Sequence, residues 1–288
     1  MAPSQILSSF LSTSILLLLF ISPSTCYSSL PNYKVATNHQ PADDQKVNLS
    51  LYYETLCPGC QDFIIGANGL IRLFKEDGLL SIVNLRLVPW GNAKLTQNDE
   101  IVCQHGEEEC YYNTIHACII NALPNTIMHF KMIYCTEYLL KANNSSGREV
   151  WRECAQNLHY PQEPIQKCYE SGLGKQLELA YGKETSDLHP PHDFTPWVVV
   201  NGQPLREHYM DYISYICKAY KGKNPPKVCH NSAPRNKMAD SSDAGICVRD
   251  NYYYRDLQQK PPKVRGYSEP PPSPKDLHSL IPKLKNKS

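Results

Sequence analysis

The sequence predicts an α/β fold in which a strand–helix–strand unit and a later β-hairpin with a closing helix flank a cysteine-rich helical insertion. Three observations predict it. Residues 47–56 (VNLSLYYETL) alternate apolar and polar β-formers, the pattern of a half-buried strand. Cys57-Pro58-Gly59-Cys60 follows at once, a CxxC pair placed where that strand gives way to a helix. Residues 195–205 (TPWVVVNGQPL) read as strand, Asn-Gly turn and strand, a hairpin signal.

After the CxxC pair, Phe63, Ile64, Leu70, Ile71 and Phe74 recur at helical spacing, across Gly66 and Gly69. Residues 79–89 (LLSIVNLRLVP) form a second strand with Val83, Leu85 and Leu87 on one face. Residues from about 103 to 181 hold six cysteines, and apolar spacing around 115–120 and 127–140 predicts helices there. Residues 209–220 close the domain as an amphipathic helix. This order is that of a thioredoxin-like domain, assigned to residues 46–229, with residues 27–45 as a flexible lead-in. From residue 230 the chain turns to Pro, Lys and Ser, with eleven Lys and Arg against six Asp and Glu. Too little apolar surface remains there to offset the entropy of ordering, so residues 230–288 are expected to be a disordered tail.

With 288 residues, 41% of them hydrophobic, the chain can bury one core. A formal net charge of +1 gives no reason to expect a nucleic-acid partner. Twelve cysteines point to an oxidising compartment. The apolar run 15–21, followed by Pro23 and small residues, reads as a signal peptide over residues 1–26. The run is short for a bilayer span, and no later segment is apolar enough, so stable membrane insertion is not expected. Asn-x-Ser/Thr acceptors at Asn48, Asn143, Asn144 and Asn286 fit a glycoprotein of the secretory pathway, bound for a lysosome, a vacuole or the outside of the cell.

The chemistry centres on the dithiol. The thiolate is the nucleophile of disulfide exchange, and unsatisfied N–H groups at a helix N-terminus stabilise it. Cys57, at the strand-to-helix junction, is therefore the attacking residue. Cys60, one helical turn on, resolves the mixed disulfide. Pro58 suits the first helical turn, where a missing N–H costs little. The competing readings are a zinc ligand pair and a structural disulfide. Zinc would need a second pair, and the chain has no other CxxC. Thr195-Pro196 is the second feature. A cis bond there would expose the Thr195 backbone to an extended substrate peptide, so both residues are candidate substrate contacts. Glu54 reads as an exposed strand-end charge, with a proton relay as the alternative.

Setting aside Cys26, Cys57, Cys60 and Cys247 leaves eight cysteines for four structural disulfides. Proximity in sequence favours Cys103–Cys110, Cys154–Cys168 and Cys217–Cys229, with Cys118–Cys135 remaining. Eight cysteines allow 105 pairings, so proximity is the only guide. Cys247, in the tail, is expected to be free or paired between molecules.

The segment Tyr53-Glu54-Thr55-Leu56-Cys57-Pro58-Gly59-Cys60 resembles the active-site segment of the gamma-interferon-inducible lysosomal thiol reductase family. So do Val88-Pro89-Trp90-Gly91-Asn92-Ala93 and, most specifically, Cys103-Gln104-His105-Gly106-Glu107-Glu108-Glu109-Cys110. Pro190-Pro191-His192, Pro196-Trp197-Val198 and Val200-Asn201-Gly202 match a further block. The resemblance spans roughly residues 47–229 and implies a thioredoxin-like fold and reduction of protein disulfides. It gives the reactive roles to Cys57 and Cys60 alone; the three glutamates after His105 read as a solvated face. The resulting expectation is a thiol–disulfide oxidoreductase acting on disulfide-containing proteins. It would need an external thiol reductant, no cofactor and no metal. The alternatives are a disulfide oxidase or isomerase, and a non-enzymatic secreted binding glycoprotein.

Overall fold

Strand β1 (Val47–Tyr53) alternates in sequence, yet its last three residues are all buried, because sheet neighbours and helices cover both faces near Cys57. The computed structural model describes residues 46–143, 147–230, 245–249 and 270–281, all within one unit of the chain. The expected signal peptide and lead-in, together with Asn144 and Asn286, lie outside the described residues.

The main sheet has the order β2-β1-β6-β7. β1 pairs in parallel with β2 (Val83–Pro89), from Val47 opposite Val83 to Tyr53 opposite Pro89. A parallel pair needs a crossover, supplied here by α1 (Pro58–Ile65) and α2 (Arg72–Lys75). On the other side β1 pairs antiparallel with β6 (Trp197–Val200), which turns at Asn201-Gly202 into β7 (Gln203–Pro204). α8 (Tyr212–Ala219) packs on β6 and β1. Strand, crossover helix and parallel strand, then antiparallel hairpin and helix, make this the α/β, thioredoxin-like fold.

Two local expectations are corrected. The helix after the CxxC pair is not continuous. At Gly69 a side chain would collide with the Phe63 carbonyl, and Leu70 N–H bonds that carbonyl, so the chain folds back between α1 and α2. The second strand begins at Val83, not at residue 79. Ser81 and Ile82 donate their N–H groups to Gly78 and Leu79, forming a 3-10 turn instead of ladder bonds.

Between β2 and β5 (Phe194–Thr195) lies the insertion. It opens with a ribbon of β3 (Lys94–Leu95) and β4 (Ile101–Val102). Five helices follow: α3 (Glu107–Ala122), α4 (Thr126–Asn143), α5 (Val150–Leu158), α6 (Glu163–Glu170) and α7 (Leu173–Ser186). Disulfides staple it. Cys103 bonds Cys110, Cys118 bonds Cys168 and Cys135 bonds Cys154. The expected pairs Cys118–Cys135 and Cys154–Cys168 are therefore wrong. α3 packs on α6 and α4 on α5, so each sulfur meets a partner brought near by helix packing and not the next cysteine along.

Cys217 of α8 bonds Cys229 of α9 (Lys227–His230). Two stretches of the tail pack back on the domain. β8 (Cys247–Val248) pairs with β5, and α10 (Leu277–Leu280) buries Leu277 beside Ile281. The Tyr134 hydroxyl donates to the Pro272 carbonyl at 2.9 Å. The core joins these parts through Leu49, Leu51, Phe63, Trp197, Tyr212 and Ile216. The Phe63 ring meets Tyr209 and Tyr212 edge-on at 5.4 and 5.7 Å, and burial of each such side chain contributes about 1.5–3 kcal/mol. Among the described residues no helix is long and apolar enough to cross a membrane.

Candidate active site

β1 delivers Cys57 to the N-cap of α1, with Pro58 in the first turn and Gln61 N–H bonding the Cys57 carbonyl at 2.9 Å. Cys57 thus sits at the positive end of the α1 dipole, a position that favours a thiolate, while Gly59 N–H donates to the Gly245 carbonyl. Cys60, also fully buried, is the one free cysteine among the described residues. Its thiol is pushed well above its ordinary value, first by burial and then by the nearby Glu54 charge.

Cys57 is bonded to Cys247, 190 residues away. This overturns the expectation that Cys247 is free or pairs between molecules. The reason is local. β8 lies antiparallel to β5 with Cys247 opposite Thr195, which carries its sulfur to the end of α1. The Thr195 hydroxyl lies 3.7 Å from Cys57 Sγ, and its carbonyl oxygen 3.9 Å from the same atom. The Thr195–Pro196 bond is cis, as is His189–Pro190. Pro196 divides the expected strand in two, so that β5 pairs with the tail and β6 with β1.

Glu54 is corrected from exposed to fully buried. The Asn92 backbone N–H donates to its Oε2 at 2.5 Å, and Asn92 Nδ2 to Oε1 at 3.3 Å. Burial, with the charge of Glu109 second, raises the Glu54 carboxyl well above the usual carboxylate range. The Glu54 charge reaches the buried Cys60 thiol, and the Glu54 backbone also bonds it.

The glutamate run divides: Glu107 is exposed, whereas Glu109 is fully buried. Glu109 Oε2 accepts the backbone N–H of His105 at 2.6 Å and lies 2.7 Å from its Nδ1. The same oxygen accepting the backbone N–H assigns Nδ1 as donor, and Nε2 is left facing the Cys247 sulfur at 3.6 Å. Glu54, His105 and Cys247 bring a carboxylate oxygen, an imidazole nitrogen and a sulfur within 4.8 Å of one another. With its sulfur bonded to Cys57, Cys247 has no thiolate to offer a metal.

Sequence reasoning missed Asn92, Gln104, His105, Glu109 and Cys247. Asn92, Gln104, His105 and Glu109 lie in segments that carry the family resemblance, which gave none of them a role; Cys247 has no such signal. Asn48, exposed at the start of β1, accepts from Asn84 Nδ2 at 3.2 Å; Asn143 ends α4.

Comparison with known proteins gives the family. The model of the family described as gamma interferon inducible lysosomal thiol reductase matches residues 48–158. An Arabidopsis thaliana gamma-interferon-responsive lysosomal thiol protein is 41% identical over 199 residues, covering 68% of this chain and 80% of the relative. The gamma-interferon-inducible lysosomal thiol reductase of Mus musculus is 34% identical over 193 residues, 65% of this chain and 73% of its own. That of Carassius auratus is 34% identical over 192 residues, 62% and 70% respectively. With identity and coverage of this extent, the chain belongs to the gamma-interferon-inducible lysosomal thiol reductase family and is a thiol–disulfide oxidoreductase.

Proposed function

We propose that the protein reduces disulfide bonds of protein substrates through Cys57, with Cys60 as the resolving thiol. The Cys57 thiolate attacks a substrate disulfide; one substrate sulfur leaves and a mixed disulfide forms. The Cys60 proton passes to Glu54, and the Cys60 sulfur attacks Cys57 Sγ. The second substrate thiolate departs and a Cys57–Cys60 disulfide remains, which an external thiol reductant reopens. The observation that carries this reading is the placement of Cys57, at the N-terminus of α1 beside the Thr195 backbone and already joined to the cysteine of an extended strand. Thr195 and Pro196 line the path by which a substrate strand approaches.

The names of the relatives support a lysosomal or vacuolar destination reached through the secretory pathway. Residues 1–26 serve as the leader in this reading, residues 46–229 as the reductase domain, and Asn48, Asn143 and Asn144 as glycan acceptors. Insulin disulfide reduction tests the function, measured at acidic and neutral pH for the wild type, Cys57→Ser and Cys60→Ser. Cys57→Ser is expected to be inactive and Cys60→Ser to accumulate a covalent insulin adduct. Undiminished turnover by Cys57→Ser overturns the assignment of the nucleophile. The redox potential of the Cys57–Cys60 pair separates a reductase from an oxidase or isomerase.

A further inference from the structure

Residues 245–249 (Gly-Ile-Cys-Val-Arg) are held beside Cys57 chiefly through their backbone. β8 runs antiparallel to β5, with Thr195 opposite Cys247 and Phe194 opposite Val248. Gly59 N–H donates to the Gly245 carbonyl, and Arg249 N–H to the Asp193 carbonyl, both at 2.8 Å. Asn92 Nδ2 donates to the Cys247 carbonyl at 3.0 Å, and Gln104 Nε2 to the Val248 carbonyl at 3.1 Å. Backbone bonds of this kind do not read side chains, so a groove built from them accepts many extended peptides. The one side chain that reaches the reactive sulfur is Cys247.

We propose that this groove docks the cysteine-bearing strand of a substrate, and that residues 245–249 are its internal occupant, with Cys247 standing where the substrate cysteine stands in the mixed disulfide. The proposal rests on Cys57 as nucleophile and goes beyond it. The oxidised chain rests as Cys57–Cys247 with Cys60 reduced, and a substrate must displace its own enzyme's tail.

The step that frees the groove balances without any outside oxidant or reductant. Cys60 gives its proton to Glu54, and its sulfur attacks Cys57. The Cys57–Cys60 bond forms as the Cys57–Cys247 bond breaks, and Cys247 departs as a thiolate that takes up one proton from solvent, matching the one Cys60 gave up. One disulfide is exchanged for another and no electrons are gained or lost.

The occupant also reports what the groove selects. A side chain at Gly245 would lie 3.0 Å from Pro58 Cβ, and one at Gly59 would lie 2.9 Å from the Gly245 carbonyl. The two backbones meet where neither has a side chain. A larger residue two positions before the substrate cysteine must push Pro58 aside, so this position favours glycine. Val248, one residue after the cysteine, is 51% exposed and imposes no such demand.

The test uses the full chain isolated in its oxidised form. The chain is denatured in mildly acidic guanidinium chloride containing N-ethylmaleimide, so that buried free thiols are blocked before disulfides can exchange, and is digested without reduction for mass spectrometry. The expected product joins the Cys57 peptide to the Cys247 peptide, with Cys60 alkylated. A Cys57–Cys60 link with Cys247 alkylated overturns the proposal. Gly245→Ala, which alters no cysteine, is expected to shift the linkage toward Cys57–Cys60; an unchanged linkage removes the glycine selectivity. In the kinetic arm, Cys247→Ser is expected to lower the KM for insulin by about tenfold, because a tethered competitor acts at an effective concentration near millimolar. An unchanged KM means the tail does not compete. These failures leave the functional reading intact, since only an active Cys57→Ser overturns that.

Discussion

His105 Nε2 stands 3.6 Å from the sulfur of Cys247, while Nδ1 of the same ring is held 2.7 Å from Glu109 Oε2. The imidazole is oriented by a buried carboxylate on one side and faces the leaving sulfur of the mixed disulfide on the other. With Nδ1–H committed to Glu109, Nε2 hands a proton to a departing thiolate only from the doubly protonated ring. His105→Ala is expected to lower kcat for insulin reduction by about 10²-fold with KM little changed, the usual scale for losing one proton-transfer group. The pH profile should change with it, since a merely structural role would leave the profile in place. Wild-type kcat in His105→Ala would show that the ring plays no part.

Glu54 makes the second prediction. Its buried carboxyl is raised by burial and by Glu109, and its charge in turn raises the Cys60 thiol. Glu54→Gln keeps the shape and the acceptor for Asn92 N–H but removes the proton acceptor. Attack by Cys57 should continue while resolution by Cys60 slows, so a covalent insulin adduct should build up even with both cysteines present. The decisive measurement is adduct level on non-reducing gels after acid quenching. No more adduct than in the wild type would exclude Glu54 from the resolving step.

The insertion yields a stability prediction. Cys118–Cys168 closes a loop of 50 residues and Cys103–Cys110 one of 7. If the cross-links act by restricting the unfolded chain, the longer loop contributes about 4 kcal/mol and the shorter about 2.4 kcal/mol. Denaturant unfolding of Cys118→Ala/Cys168→Ala should therefore show the larger loss of the two double variants. The opposite ranking would mean that native packing outweighs loop entropy here.

The parts of this fold written in short-range pattern are legible in the sequence. The alternation that ends on Cys57 fixes β1, and Asn201-Gly202 fixes the turn between β6 and β7. The dithiol is legible for the same reason, since Cys57 and Cys60 mark a strand-to-helix junction by themselves. What escapes is set by contacts far apart in the chain. Cys118 and Cys135 are near in sequence, but α3 is packed on α6, so Cys118 meets Cys168. Glu54 reads as a solvent-facing charge because nothing beside it reveals that Asn92, 38 residues on, will enclose it. Cys247 sits in a stretch too polar to form a core, yet backbone pairing with β5 needs no apolar surface at all.

Buried ionisable groups set the last prediction. Burial raises the carboxyls of Glu137 and Glu178 to about 8 and about 7 from an ordinary 4.5, and raises Glu54 as well. Burial lowers the imidazoles of His116, His129 and His192 to about 3, 4 and 4 from an ordinary 6.5. Above pH 6.5 only the glutamates differ between folded and unfolded chains. There the folded state holds more protons, so stability falls as pH rises toward 8. Below pH 4.5 only the histidines differ, the unfolded chain binds more protons, and stability falls as pH drops toward 3. Between 4.5 and 6.5 the two sets oppose each other and stability is nearly level. Tm by calorimetry should therefore be higher at pH 5.5 than at pH 8 or 3.5. A net loss of about 2 kcal/mol at pH 8 corresponds to about 4–8 °C. Glu137→Gln, which cannot ionise, should lessen the alkaline fall, because the Glu137 side chain is fully buried and its carboxyl is raised further than that of Glu178. A Tm that climbs steadily from pH 5.5 to 8 would show that these carboxyls ionise in the folded chain as readily as in water.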